Sequence, residues 1–291
     1  MPAIKLLCIQ MVIGVSSLGT RNLFCLMVTL LACCCIAKLC YMEFLAGDLL
    51  TPLSVIGLII LSAVTSMISA AFGAGGGLML LVVMASLLPM SIVIPVHGLV
   101  QLGSNANRFM LTFKHLDKSM FAYFSLGGLI GAFAASSIVT RIPLELMKIV
   151  VAGFVLYLLW GMTPKLRETS ALWRSTAGAV TTFLSMFVGA SGPLVGSCLY
   201  VNNYEKLRYT ATFSACMSVQ HTFKAILYGF VGFSFWQWLP LVAVMIISGA
   251  LGTWLGLQLL QRISAEKFKR IFRVVLTLLA LQLAWQGLQA F

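Results

Sequence analysis

The largely apolar stretch 92–112 carries His97, Gln101, Asn105 and Arg108. At about 100° per residue they share a helical sector of about 80°. A second stretch, 206–231, sets Thr210, Ser214, His221 and Lys224 in a similar sector, with Gln220 at its edge. Polar groups are expensive in a bilayer core, so both stripes should face protein interior. They offer amides, hydroxyls, two histidines and two cations without a carboxylate, a set that suits an anion. Structural alternatives stand beside this reading. Arg108 and Lys224 lie near helix ends and can snorkel to headgroups, His97 can satisfy a carbonyl freed by Pro95, and Gln101, Asn105 and Gln220 can join helices.

Enzymatic constellations are missing from the sequence. It has no His-Glu-x-x-His, and its seven carboxylates (Glu43, Asp48, Asp117, Glu145, Glu168, Glu205, Glu266) sit in connectors or at span edges. A proton moving through the core would have to use His97 or His221. A membrane enzyme or assembly factor would have to draw on Cys198 and Cys216, the cysteines outside the first forty residues. Cys33-Cys34-Cys35 lies in an apolar run without a histidine, which reads as small helix residues rather than metal ligands. No cofactor and no metal are expected.

The elements that must position these residues follow from composition. Of 291 residues 60% are hydrophobic and 9% charged, with a mean hydropathy of +1.03, which excludes an ordinary soluble domain. The net charge of +12 resides in short connectors, where it sets topology rather than binding nucleic acid. Apolar segments run at about 53–72, 76–89, 92–112, 119–140, 143–162, 172–189, 193–202, 206–231, 235–258 and 265–288. They lack the alternation of barrel strands, so each is predicted to be helical. Segments 76–89 and 193–202 reach only about 21 and 15 Å against a core of about 30 Å, and read as half-helices.

Each half-helix follows a break. Phe72-Gly73-Ala74-Gly75-Gly76-Gly77 drops glycines into an apolar run, weakening a helix by roughly 1 kcal/mol each while permitting close approach of a ligand or backbone. Gly189-Ala190-Ser191-Gly192-Pro193 is the second. The first lacks the Lys-Ser/Thr of a phosphate loop. Freed backbone at membrane depth needs protein or a watery cavity around it, so the breaks are candidate binding elements, with small-residue packing as the alternative.

A shift of 116 lays Gly73–Gly77 over Gly189–Pro193, Asn105 over His221 and Arg108 over Lys224. A shift of 121 lays Gly128 over Gly249, Gly131 over Gly252 and Arg141-Ile142 over Arg262-Ile263. Two halves of five segments follow, about 53–162 and 172–289, within a membrane domain of 51–291. An odd number per half forces the second to enter from the opposite side. If segments alternate, the connectors with Lys114, Lys165, Arg174, Arg208 and Lys267 share one side and carry nearly all the positive excess, which marks that side cytoplasmic. Residues 1–50 are read as an extension with about one membrane helix, a signal or interfacial segment being the alternatives.

FGAGGGLML, a short segment ending in a proline turn, a polar helix, then GGLIGAFAAS before a basic Arg-Ile-Pro turn, all repeated once, resembles the TauE/SafE family of sulfite and organosulfonate exporters. The resemblance covers about 53–289. It implies a transporter of small, often sulfur-containing anions, driven by an ion gradient rather than ATP. Gly73, Gly75, Gly76 and Gly77 match the family's first glycine motif; Ser191 replaces a glycine in the second. Pro95, His97 and Gln101 depart from the Thr- and Ser-rich pattern usual after the motif.

The expectation is an all-α membrane protein of two inverted repeats of about five helical segments with glycine-broken half-helices, plus about one N-terminal helix. It is a multi-pass protein of the cell (plasma or inner) membrane and not an enzyme. It moves a small anion by alternating access, a passive anion channel being the alternative. Substrate-binding residues are expected to be Gly73, Gly75, Gly76, Gly77, His97, Gln101, Asn105, Ser191, Gly192, Gln220 and His221. Partners are the substrate, the lipid bilayer, a coupled proton or sodium ion and a second copy of the chain, without nucleic acid. A bulky residue at Gly75 or Gly76 is expected to abolish transport but not insertion.

Overall fold

The computed structural model describes residues 49–72, 75–139, 143–161, 170–200, 202, 204–259 and 265–289. The N-terminal helix expected in 1–50 and the expected site residue Gly73 lie outside them. The described chain is all helical: α1 (Pro52–Phe72), α2 (Gly76–Leu87), α3 (Met90–Thr112), α4 (Lys118–Ser136), α5 (Leu144–Trp160), α6 (Ala171–Val188), α7 (Gly192–Tyr200), α8 (Lys206–Phe230), α9 (Leu239–Leu259) and α10 (Ala265–Leu288). Helices satisfy their own backbone groups, which lipid cannot do for them. Pro52–Ala71, Lys118–Ser136 and Trp236–Gln258 are long and apolar enough to cross a membrane. Large apolar side chains such as Leu53, Phe133 and Phe230 stand on the outside, at least 80% exposed. In water such a surface would drive aggregation; in lipid it is the solvated face. The protein is an all-α membrane protein.

Helix boundaries repeat with the sequence shifts. α1 and α6 end at Phe72 and Val188, α2 and α7 start at Gly76 and Gly192, and α3 and α8 start at Met90 and Lys206, each pair 116 apart. α5 and α10 start 121 apart, at Leu144 and Ala265. Packing repeats too. α4 lies against α6 and α9 against α1, and exchanging the halves turns one pair into the other. A Cβ on Gly131 would overlap the Ala179 carbonyl, and one on Gly252 would overlap the Ala63 carbonyl, the equivalent atom. Gly127 likewise presses on the Ser175 carbonyl; its equivalent, Ser248, donates its Oγ to the Ile59 carbonyl at 2.7 Å. These seams use small residues so that backbones can touch where apolar burial offers no driving force.

The fifth helices reveal the inversion. Trp160, at the end of α5, donates Nε1 to Thr277 Oγ1 at the middle of α10 at 2.9 Å. Gly287, at the end of α10, lies against Ile149 near the start of α5. Equivalent helices of the two repeats therefore run antiparallel, as an inverted repeat requires. The half-helices α2 and α7, with 12 and 9 residues, reach only about 18 and 14 Å.

Candidate functional site

The three described glycines of the first break meet three different needs. Gly75 caps α2 with φ 109°, a left-handed conformation that side chains disfavour. Gly76 sits against α1, where a Cβ would overlap the Thr65 carbonyl and crowd Ser69 Oγ. Gly77 faces Gln101, whose Oε1 would be 3.1 Å from an added Cβ. In the second break the left-handed residue is Gly189 at the end of α6, φ 86°. Ser191 occupies the position equivalent to Gly75 and donates its Oγ to Gln220 Oε1 at 2.7 Å.

Between the breaks lies a small, partly open cavity of about 30 Å³, counted as room for the centre of a water-sized sphere. A single water needs about 10–15 Å³ on that measure. Of the expected site residues, Gly75, Gly77, His97, Gln101, Asn105, Gly192 and His221 line it. Gly76 turns towards α1 instead, and the Ser191–Gln220 pair stands beside the cavity without lining it. Arg108 lines it as well.

Hydrogen-bonding capacity here exceeds the partners present. His97 Nε2 pairs with the Gly77 carbonyl at 2.9 Å. A carbonyl only accepts, so Nε2 carries the proton and Nδ1 is left as an acceptor without a partner. This carbonyl belongs to the first break rather than to the turn that Pro95 disrupts. Asn105 donates within α3 to the Gln101 carbonyl at 2.8 Å. Gln220 Nε2, both ring nitrogens of His221 and Arg108 Nε are buried without a hydrogen-bond partner among the described residues. The rings of His97 and His221 stand edge to face, 6.3 Å between centroids.

Arg108 and Lys224 do not snorkel: they are 2% and 0% exposed. Both stand outside the expected set of site residues and share the polar stripes; Arg108 lines the cavity, and Lys224 reaches the second break. Lys224 Nζ donates to the Gly189 carbonyl at 2.6 Å. Its stem crosses α3 at Gly98, where an added Cβ would lie 2.9 Å from Lys224 Cδ. Arg108 makes no ion pair or side-chain hydrogen bond among the described residues; the one ion pair there joins Arg208 to Asp117 at 3.0 Å.

That pair belongs to a wider vestibule of about 680 Å³ at the connectors, lined by Lys114, Asp117, Arg174, Tyr204 and Arg208 among others. Asp117 caps α4 by accepting from the Met120 N–H at 2.9 Å and also accepts from the Tyr204 hydroxyl at 2.7 Å. Burial works to raise its pKa, but those two donors and Arg208 outweigh it and hold the carboxyl below the usual range. Tyr204 is pushed up, chiefly by burial and then by its bond to Asp117. Between vestibule and cavity along α8, the Tyr209 and Phe213 rings stack with centroids 5.8 Å apart.

Among the described residues no group of three His, Cys, Asp or Glu could hold a metal ion, and Cys198 and Cys216 are buried free thiols. The family model described as "Sulfite exporter TauE/SafE" matches residues 58–283, most of the chain. Compared with curated proteins and with solved structures, the chain matches none.

Proposed function

Because this chain belongs to the sulfite exporter TauE/SafE family, and so is a membrane transporter, we propose that it carries small anions, sulfite and sulfonates foremost, by alternating access between its two glycine breaks. The observation that supports this is the cavity between the breaks: a donor-rich chamber with a buried arginine and, among the described residues, no carboxylate in its lining. An anion there would meet the N–H groups at the start of α2, where the helix dipole adds partial positive charge. Gln101, Asn105 and His221 would orient it, and Gly75 and Gly77 would let it approach backbone. Since no described carboxylate lines the cavity, a coupled proton would fall to His221, whose two nitrogens have no described partner; sodium is the other candidate. The charge distribution supports a cell-membrane protein with the vestibule of Lys114, Arg174 and Arg208 on the cytoplasmic side.

The test is uptake of radiolabelled sulfite, sulfoacetate and taurine by proteoliposomes, with and without a proton gradient. Saturable accumulation that collapses with the gradient is expected. Flux no greater than in empty vesicles would overturn the proposal. Large, non-saturating conductance in planar bilayers would replace the carrier with an anion channel.

A further inference from the structure

The two repeats share a backbone plan, yet their contributions to the cavity differ in chemistry. Under the shift of 116, His97 and Gln101 correspond to Phe213 and Met217, and all four line the cavity. The first repeat presents polar groups where the second presents an aromatic ring and a thioether. The half-helix starts differ in the same sense. Gly77 carries an N–H in the first turn of α2, whereas its equivalent in α7 is Pro193, which has none. The cations differ as well. Lys224 is engaged by the Gly189 carbonyl, while its equivalent, Arg108, lines the cavity with its Nε unpartnered and no carboxylate beside it among the described residues.

A buried guanidinium, 2% exposed and without a charge partner among the described residues, is expensive, and it persists where something of opposite charge compensates it. A planar fork of N–H donors matches two oxygens of an oxyanion, a geometry that neither lysine nor a halide reproduces.

Resting on the transporter reading above, we infer that the substrate's charge is held by the first repeat, with Arg108 as its charge partner and the start of α2 as its second donor set, while His221 is the second repeat's polar contact. The substrate class is a small oxyanion with at least two oxygens on one centre. Its oxygens point to α3 and α2, and any apolar substituent lies against Phe213 and Met217. Besides His221, the second repeat supplies that apolar wall and, through Lys224, holds the opposite break.

The experiment uses the full chain, purified in detergent, with thermal unfolding and calorimetric titration of sulfite, methanesulfonate and chloride. Wild type should bind both oxyanions and be stabilised by them well beyond equal chloride. Arg108→Met should unfold at a higher temperature than wild type without anion, since an uncompensated buried charge is gone, and should lose at least about tenfold in oxyanion affinity. Arg108→Lys, which keeps charge but not the fork, should fall between. Oxyanion affinity unchanged in Arg108→Met would overturn this inference and leave the transporter reading standing. So would an Arg108→Met protein that fails to fold while Arg108→Lys folds, because the guanidinium would then be paired in the resting protein. Wild type that binds neither oxyanion, yet transports another anion in vesicles, would also refute it. Absence of both binding and transport would remove the two readings together.

Discussion

The Lys224 ammonium donates to the Gly189 carbonyl at 2.6 Å, tying a fully buried cation on α8 to the residue at which α6 stops. Replacing such a charge by an apolar chain of similar length removes a hydrogen bond and a desolvation cost together, so the two roughly cancel in stability. Lys224→Met should therefore keep unfolding stability within about 1 kcal/mol of wild type. Transport per folded molecule should fall by about tenfold or more, since the second break loses its tie to α8. Unfolding in detergent beside vesicle flux separates the effects. Large destabilisation with normal flux would make the tie purely structural.

Equivalent glycines of the two breaks should respond differently to a single methyl. At Gly76 the added carbon overlaps the Thr65 backbone, which cannot swing aside; overpacking of this kind costs about 1–3 kcal/mol. At Gly192 the nearest atom is Phe213 Cζ at 3.6 Å, an ordinary contact. Gly76→Ala should lower the unfolding temperature and the yield of monodisperse protein, and Gly192→Ala should not. Equal stability of the two variants would contradict the packing described for α2. A bulky residue at Gly76 thus tests the fold rather than transport alone, and Gly77, facing Gln101, is the position that tests the cavity.

Asp117 gives a pH dependence. Its folded pKa lies below the usual carboxylate value, so its stabilisation is fully present above the unfolded value of about 3.9. It is lost as pH falls through the lower folded value. Arg208 is 53% exposed, so most of the effect comes from the helix cap rather than the ion pair. Asp117→Ala should cost about 1–2 kcal/mol at pH 7, and Asp117→Asn, which can still cap, about half of that or less. Below about pH 4 the gap between wild type and Asp117→Ala should narrow. A gap that widens on acidification would reverse the sign argued here.

The helices were legible because apolar runs separated by short charged connectors leave little freedom in lipid, and their ends recur at the shifts that align the glycines. The inversion was legible from an odd segment count, and the antiparallel packing of Trp160 on Thr277 gives it directly. What spacing could not convey was the reach of long side chains. Arg108 and Lys224 sat on the right stripes, but whether they curl to headgroups or inward depends on what the opposite repeat presents. Nor could a run of glycines announce which one turns the chain, which touches α1 and which opens on the cavity. The Asp117 cluster depends on Tyr204 and Arg208, about ninety residues away in sequence, and no local pattern marks such a meeting.

Gly98 provides a test in which the sign itself should change. Within the interior of α3 an alanine is favoured over glycine by about 0.8–1.0 kcal/mol of helix propensity. In this protein the added methyl would sit 2.9 Å from Lys224 Cδ, pushing the stem aside and lengthening the bond from its ammonium to Gly189. Gly98→Ala should accordingly destabilise wild type and reduce transport, yet stabilise a Lys224→Ala background in which the obstructing stem is gone. The coupling in this double-mutant cycle should reach about 1 kcal/mol or more. Denaturant unfolding of the four proteins measures it. A Gly98→Ala change of the same size and sign in both backgrounds would mean that the lysine's passage over α3 is not what keeps residue 98 small.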